Sequence, residues 1–336
     1  MRLDFIRPLY ERRGPYASVY LGALTEPQRE THWHSVRDQL DGTDPETIDA
    51  LEVAANRPSP GQALFATHGA VVLAEPLSRA PYEMATVSPL PHVTPMLRQR
   101  GENVPHLRVI VDHAGAELSV FGGGAPRTTT VAAADWPLQK TAQGGWSQKR
   151  YERGAEETWE KNAVAVAREI DEQVRRIGAE LIIVAGEPKS RSYLLQHLST
   201  KSADRVMMVE HGSRSDHGQF EADVERALDD WLERRRAELL DRHRESSGPA
   251  GLSQVAHALR EGRVHAVLMP AQLDRTVWTG EGGTQLSTDQ GELRRWGVEQ
   301  PVEERADSAV VRAAAMTDAE LWFTDDVQDV AAVLRY

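Results

Sequence analysis

Apolar positions recur along this chain with two periods, two in some segments and close to 3.6 in others. That switching predicts a protein of mixed helices and strands. Residues 16–21 are rich in β-branched and aromatic side chains and predict a strand. Residues 26–40 follow with a helical pattern, Thr25 standing as N-cap and Pro27 in the first turn. Residues 62–67 and 69–74 predict a hairpin around His68 and Gly69. From Pro76 the chain turns proline-rich, through Pro81, Pro89, Pro91, Pro95 and Pro105, which marks a first boundary near residue 103.

Two strands follow at 107–112 and 116–121, joined by a turn at His113, Ala114 and Gly115. Residues 128–131 lead into a polar, glycine-containing loop near 145. A long helix is expected over 148–176, a strand over 180–185, a helix over 190–198, a strand over 206–210 and a second long helix over 220–244. A hairpin followed by alternating helix and strand implies a mixed sheet flanked by helices. Residues 246–251 have the composition of a linker. Beyond it come a helix over 252–261, a buried strand over 264–269, a long polar insertion over 273–307 without regular structure, a helix over 308–316, a strand over 319–324 and a last element over 327–334. The expected architecture is α/β and α+β in three domains: 1–102, 103–247 with the glycine loop and long helices, and 248–336 as an αβα unit.

Composition narrows the chemistry. The 336 residues include 39 Lys and Arg against 51 Asp and Glu, a net charge of −12. An acidic total disfavours bulk attraction to nucleic acid. There is no cysteine, which excludes disulfides, thiol nucleophiles and Cys-ligated zinc. No apolar run approaches the roughly 20 residues that span a bilayer, and the first residues lack a signal peptide's apolar core. A cytoplasmic protein with neither a membrane nor a DNA partner is the expectation.

One stretch runs against the acidic total. QGGWSQKRYERG, residues 143–154, joins two glycines to a helix start that carries Lys149, Arg150 and Arg153. Gly144 and Gly145 permit close backbone approach. Ser147 can cap the helix. Cations in a first turn oppose the helix dipole, so they suit a site that meets an external anion, phosphate above all. Trp146 can stack on a base. A solvated charge cluster on a surface loop accounts for the same residues equally well.

The order of units, together with QGGWSQKRYERG, VIVDHAGAELSVF at 109–121, GLSQVAHALREGRVHAVLM at 251–269 and SAVVRAAAMTDAELWF at 308–323, resembles the bacterial relatives of the archaeo-eukaryotic class I release factor and Pelota. That group includes the actinobacterial branch related to the hibernation factor Balon. The resemblance implies a translation factor that binds rRNA in the ribosomal A site under stress. It also implies a ribonuclease-H-like central domain, and a C-terminal domain that resembles a kink-turn-binding ribosomal protein and docks elongation factor Tu or another translational GTPase. Release factors place water with a Gly-Gly-Gln loop. Here Gly144 and Gly145 match the pair, but Trp146 stands in the place of the Gln. The resemblance therefore points to occupancy, with Gly144, Gly145, Trp146, Ser147, Lys149, Arg150 and Arg153 against rRNA. The alternative is a peptidyl-tRNA hydrolase or ribosome-rescue factor in which Gln148 orients water.

Other features carry less. No Asn-Ile-Lys-Ser-type stretch lies in residues 1–102, so stop-codon reading is not expected. Arg12, Arg13 and Arg57 are candidate N-terminal RNA contacts or ordinary surface turns. Arg260, Arg263 and His265 suit partner docking, helix solubility and strand capping equally. Twelve histidines form no HExxH pattern, though His211, Asp216 and His217 share a polar loop; no metal and no cofactor is expected. Asp112 and His113 read as a turn. Gly186, Glu187, Pro188, Lys189 and Ser190 follow a strand like a phosphate loop but lack Walker spacing.

Overall fold

The structure is a computed structural model that describes residues 1–22, 26–56, 59–101, 104–122, 127–132, 147–212 and 218–336. Over 26–32 and 147–158 it describes the helical backbone only. Residues 1–102 and 236–336 form one compact unit, and residues 103–235 form another.

The first segment opens with a 3-10 helix at Asp4–Leu9, followed by β1 (Tyr16–Gly22), α1 (Glu26–Gln39), α2 (Pro45–Ala55), β2 (Gly61–Thr67), β3 (Ala70–Leu77), β4 (Met84–Ser88) and α3 (Thr94–Arg100). Helix α2 is set locally: Pro45 fixes its first turn, and the Asp44 side chain accepts the Thr47 N–H at 2.8 Å. The strands form an antiparallel sheet ordered β3-β2-β1-β4. Its two-residue period sends Tyr16, Tyr20, Ala63 and Phe65 to one face. Ala17, Val19, Leu21 and Leu64 go to the other, beneath Val36 of α1, Leu40 just after it and Leu51 of α2.

The central unit contains β5 (His106–Asp112), β6 (Gly115–Phe121), β7 (Arg127–Ala132), α4 (Ser147–Ile177), β8 (Leu181–Gly186), α5 (Pro188–His197), α6 (Thr200–Ala203), β9 (Val206–Met208) and the first part of α7 (Gly218–Glu245). The sheet order is β7-β6-β5-β8-β9. Strands β5, β6 and β7 pair antiparallel, whereas β5, β8 and β9 run parallel, so the expected mixed sheet is present. Val166, Ile170 and Val174 of α4 and Leu194 of α5 cover one face, over Leu107, Val109, Leu118 and Val184. Phe220 and Val224 of α7 cover the other, over Ile110, Leu181 and Ile183.

The last segment contains α8 (Leu252–Arg260), β10 (Val264–Met269), β11 (Thr276–Thr279), β12 (Leu286–Ser287), α9 (Gln290–Arg295), β13 (Val302–Arg305), α10 (Ala306–Met316), β14 (Glu320–Phe323) and β15 (Ala331–Leu334). One sheet is ordered β14-β10-β15 and a second β12-β11-β13. The stretch 273–307, expected to be irregular, is therefore a three-stranded sheet with a helix; its strands have only two to four residues, too few to show a period. The linker-like segment is also tied down, with Ala332 N–H donating to Pro249 O and Gly251 N–H to Val330 O.

Residues 306–315 of α10 are all buried, Asp307 and Arg312 included. The helix packs in the core shared with Tyr16, Tyr20 and Phe65. Buried polar groups also join the two segments of this unit. Glu304 accepts the Leu90 N–H at 3.0 Å, and burial pushes its carboxyl above the usual range. Arg312 donates to Gly280 O at 3.0 Å and Gln285 O at 3.1 Å, and burial pulls its guanidinium down to about 10.

Candidate functional site

Helix α4 has 31 residues and begins at Ser147, so Gln148, Lys149 and Arg150 occupy its first turn and Arg153 its second. No acidic residue stands in that first turn. The helix dipole adds about half a positive charge at the same end. Lys149 and Arg153 are four residues apart in the helical backbone. Glu152 is the one acid among Lys149, Arg150 and Arg153, so the helix start keeps a net positive charge that an external polyanion would offset. Gly144, Gly145 and Trp146 lie outside the described residues, as do the side chains of Ser147, Gln148, Lys149, Arg150 and Arg153.

Further along α4 a second cluster forms at the carboxyl ends of β5 and β8, where ligands gather in open sheets with parallel strands. After β5, Asp112 Oδ1 accepts the Ala114 N–H at 2.8 Å and closes the turn that presents His113. After β8, Gly186 takes φ +115°, and a Cβ there would lie 1.9 Å from Val111 O. This glycine lets the Glu187 N–H reach the same carbonyl at 3.0 Å. Glu187 Oε1 consequently lies 3.1 Å from His113 Nδ1. Asn162 of α4 donates to His113 O at 3.0 Å and fixes the turn against the helix. Trp159 stands 6.3 Å from the His113 ring, and Lys189 Nζ lies 4.8 Å from the Trp159 ring centre.

The cluster offers an imidazole paired with a carboxylate, an indole and an ammonium, groups that bind a base or a phosphate. It does not act on Gln148. Fourteen residues of helix at 1.5 Å each separate Gln148 from Asn162 by about 20 Å. Among the described residues no group of three His, Asp or Glu is placed to hold a metal. His211 is accounted for structurally, its backbone N–H and Nδ1 each lying 3.0 Å from Asp223 Oδ2. Asp216 and His217 lie outside the described residues.

The N-terminal candidates are dispersed. Arg12 is exposed. Arg13 is also exposed and grips Glu281 through both terminal nitrogens, each contact 2.8 Å. Arg57 lies outside the described residues. At the far end of the chain, Arg260 and Arg263 sit at the end of α8 and just beyond it, and His265 lies within β10. The His113–Glu187 pair escaped sequence reasoning because its partners are 74 residues apart. The only local signal was a glycine at the end of an apolar strand.

Residues 105–249 match the family described as bacterial archaeo-eukaryotic release factor family 2. The uncharacterized protein Rv2629 of Mycobacterium tuberculosis strain H37Rv is 30% identical over 365 residues, covering 100% of this chain and 97% of that protein. Among solved structures, ribosome-bound archaeal Pelota with ABCE1 is matched at 12% identity and a TM-score of 0.40, over 100% of this chain and 96% of that one. Dom34 of S. cerevisiae, a translation termination-like factor, is matched at 8% identity and a TM-score of 0.40, over 98% and 92%. Likeness at that level transfers neither residues nor geometry. The match over the central unit and a relative aligned along the whole chain together place this protein in the bacterial archaeo-eukaryotic release factor family 2.

Proposed function

We propose that this protein binds the ribosomal A site as a hibernation or stress factor, protecting the decoding and peptidyl-transferase centres. The observation that carries the reading is the start of α4, which has Lys149 and Arg150 but no acid in its first turn and Arg153 in its second, within a release-factor family. In this reading Lys149, Arg150 and Arg153 meet rRNA phosphates, while Gly144, Gly145 and Trp146 approach the catalytic centre. The segments 1–102, 103–247 and 248–336 make different contacts, the first and last from one shared core, and the last docks elongation factor Tu or another translational GTPase. The protein acts in the cytoplasm and needs no cofactor. Among the described residues no helix is long and apolar enough to cross a membrane.

Co-sedimentation with vacant 70S ribosomes tests the reading. Wild type is expected in the pellet. A Lys149/Arg150/Arg153→Ala triple variant should bind more weakly, with the slope of log affinity against log salt lowered by about 2–3. Wild type remaining in the supernatant at low salt, with elongation factor Tu present, overturns it. A peptide-release arm on ribosomes loaded with peptidyl-tRNA separates occupancy from hydrolysis. Occupancy predicts release at the buffer rate, whereas release abolished by Gln148→Ala would establish the hydrolase instead.

A further inference from the structure

A cleft of about 370 Å3 lies along the exposed side of α8. Ser253, His257 and Arg260 line it at helical spacing, with Gln254 and Arg263 beside them. Its volume is in the range of small-molecule sites.

The cations here are held in position. The Arg260 guanidinium lies 3.6 Å from the Trp296 ring centre, a stacked arrangement that fixes its plane. Its Nη2 is 2.6 Å from His257 Nδ1. An arginine only donates, so Nδ1 accepts and the imidazole proton sits on Nε2. That nitrogen faces Glu261 Oε1 at 3.3 Å, while Arg263 Nε donates to Glu261 Oε2 at 2.7 Å. Glu261 is therefore occupied by His257 and Arg263. Among the described residues no carboxylate lies within ion-pair distance of Arg260, although its charge reaches Glu261 through space.

The rest of the lining suits the same ligand. Gln254 Oε1 accepts the Ala250 N–H at 3.2 Å, which leaves its amide NH2 to donate into the cleft. The Ser253 hydroxyl is a second donor. Pro249, Ala256 and Leu286 give an apolar floor for an organic body. Glu292 receives the Ser287 hydroxyl on Oε2 at 2.5 Å and keeps Oε1 for a hydroxyl of the guest. Donors around one fixed guanidinium match phosphate oxygens, and the Glu292 carboxylate in the lining matches a sugar hydroxyl.

We infer that this cleft binds a small phosphate monoester carrying hydroxyl groups, of nucleotide size, with Arg260 on the phosphate. The cleft lies wholly within residues 249–292, so the inference stands apart from ribosome binding.

Isothermal titration calorimetry of the full chain tests it, using adenosine and guanosine 5′-monophosphates, adenosine, inorganic phosphate and a short oligouridine. The nucleotides should bind with a Kd of about 1 mM or tighter, and adenosine about tenfold or more weakly. Arg260→Gln should weaken nucleotide binding by about tenfold or more, while Arg294→Gln on α9, outside the lining, should leave it unchanged. Thermal melting checks that Arg260→Gln folds. If it melts early, a Ser253/Gln254→Ala variant takes its place and should also weaken binding. No heat with any phosphate probe up to about 10 mM overturns the inference. So does adenosine binding as well as its monophosphate, unchanged binding in a folded Arg260→Gln, or binding confined to oligouridine, which would assign the cleft to an RNA backbone.

Discussion

Replacing Gly186 with alanine tests the frame that presents Glu187 to His113. The added Cβ would sit 1.9 Å from Val111 O and 2.8 Å from its carbonyl carbon, in a residue with φ +115°. That carbonyl cannot retreat freely, because it accepts the Glu187 N–H at 3.0 Å and belongs to β5, the immediate neighbour of β8. Alanine in a backbone region populated almost only by glycine costs about 1–3 kcal/mol. Forcing the two strands apart adds about 1–3 kcal/mol, as overpacking does elsewhere. Losing the Glu187 hydrogen bond adds about 1 kcal/mol. The sum is about 3–7 kcal/mol. Each kcal/mol moves the melting temperature of a domain by about 2–8 °C, so calorimetry of the full chain should show the transition of residues 103–235 falling by about 10 °C or more. The His113 imidazole resonances should shift as Glu187 moves away. A transition within about 2 °C of wild type would refute the reasoning, since the close approach would then impose no constraint.

Three further outcomes are expected. His106 donates from Nδ1 to Val104 O at 2.8 Å and accepts Arg108 Nε at 3.1 Å, so it is neutral, and burial holds its pKa below the usual value. A depressed histidine leaves the unfolded chain binding more protons below about pH 6.5, so the melting temperature should fall between pH 7 and pH 5 more steeply in wild type than in His106→Gln. Arg312→Met should destabilise the unit containing α10 by about 3–5 kcal/mol in urea titration, because the partly buried carbonyls of Gly280 and Gln285 lose a charged donor and buried Glu304 loses a nearby cation. Arg13→Ala should change that unit's stability by less than about 0.5 kcal/mol, because the pair with Glu281 is exposed at 78% and 70%.

The sequence is most legible where one face of an element is apolar and the element is long. The strands 16–22, 106–112 and 181–186 and the helices 147–177 and 218–245 lie close to where periodicity put them. Helix α2 carried its own start signal in Asp44 and Pro45, which apolar periodicity alone passed over. Strand β4 and helix α3 lay hidden in the proline-rich stretch, although Pro95 sits in the first turn of α3, where proline is tolerated. Strand β13 could not be read, because only Glu304 of its four residues is buried and that residue is charged. The start of α4 was visible as a local anomaly of charge. The His113–Glu187 pair and the stacking of Arg260 on Trp296 arise from contacts between distant or differently folded residues, and no local pattern encodes such contacts.

The division of one compact unit between residues 1–102 and 236–336 has a consequence for synthesis. The early sheet leaves the ribosome with Tyr16, Tyr20 and Phe65 facing a core whose other half has not been made. At 5–20 residues per second, α10 emerges roughly 10–40 s after the first segment. Residues 103–235 become available as one contiguous stretch during that interval and can fold while the first segment waits. The half-built sheet, apolar on a face that only α10 and its neighbours will cover, is the part of the nascent chain most exposed to misassembly. Truncations near the C-terminus should therefore be read out in the solubility of residues 1–102 before any loss in the central unit.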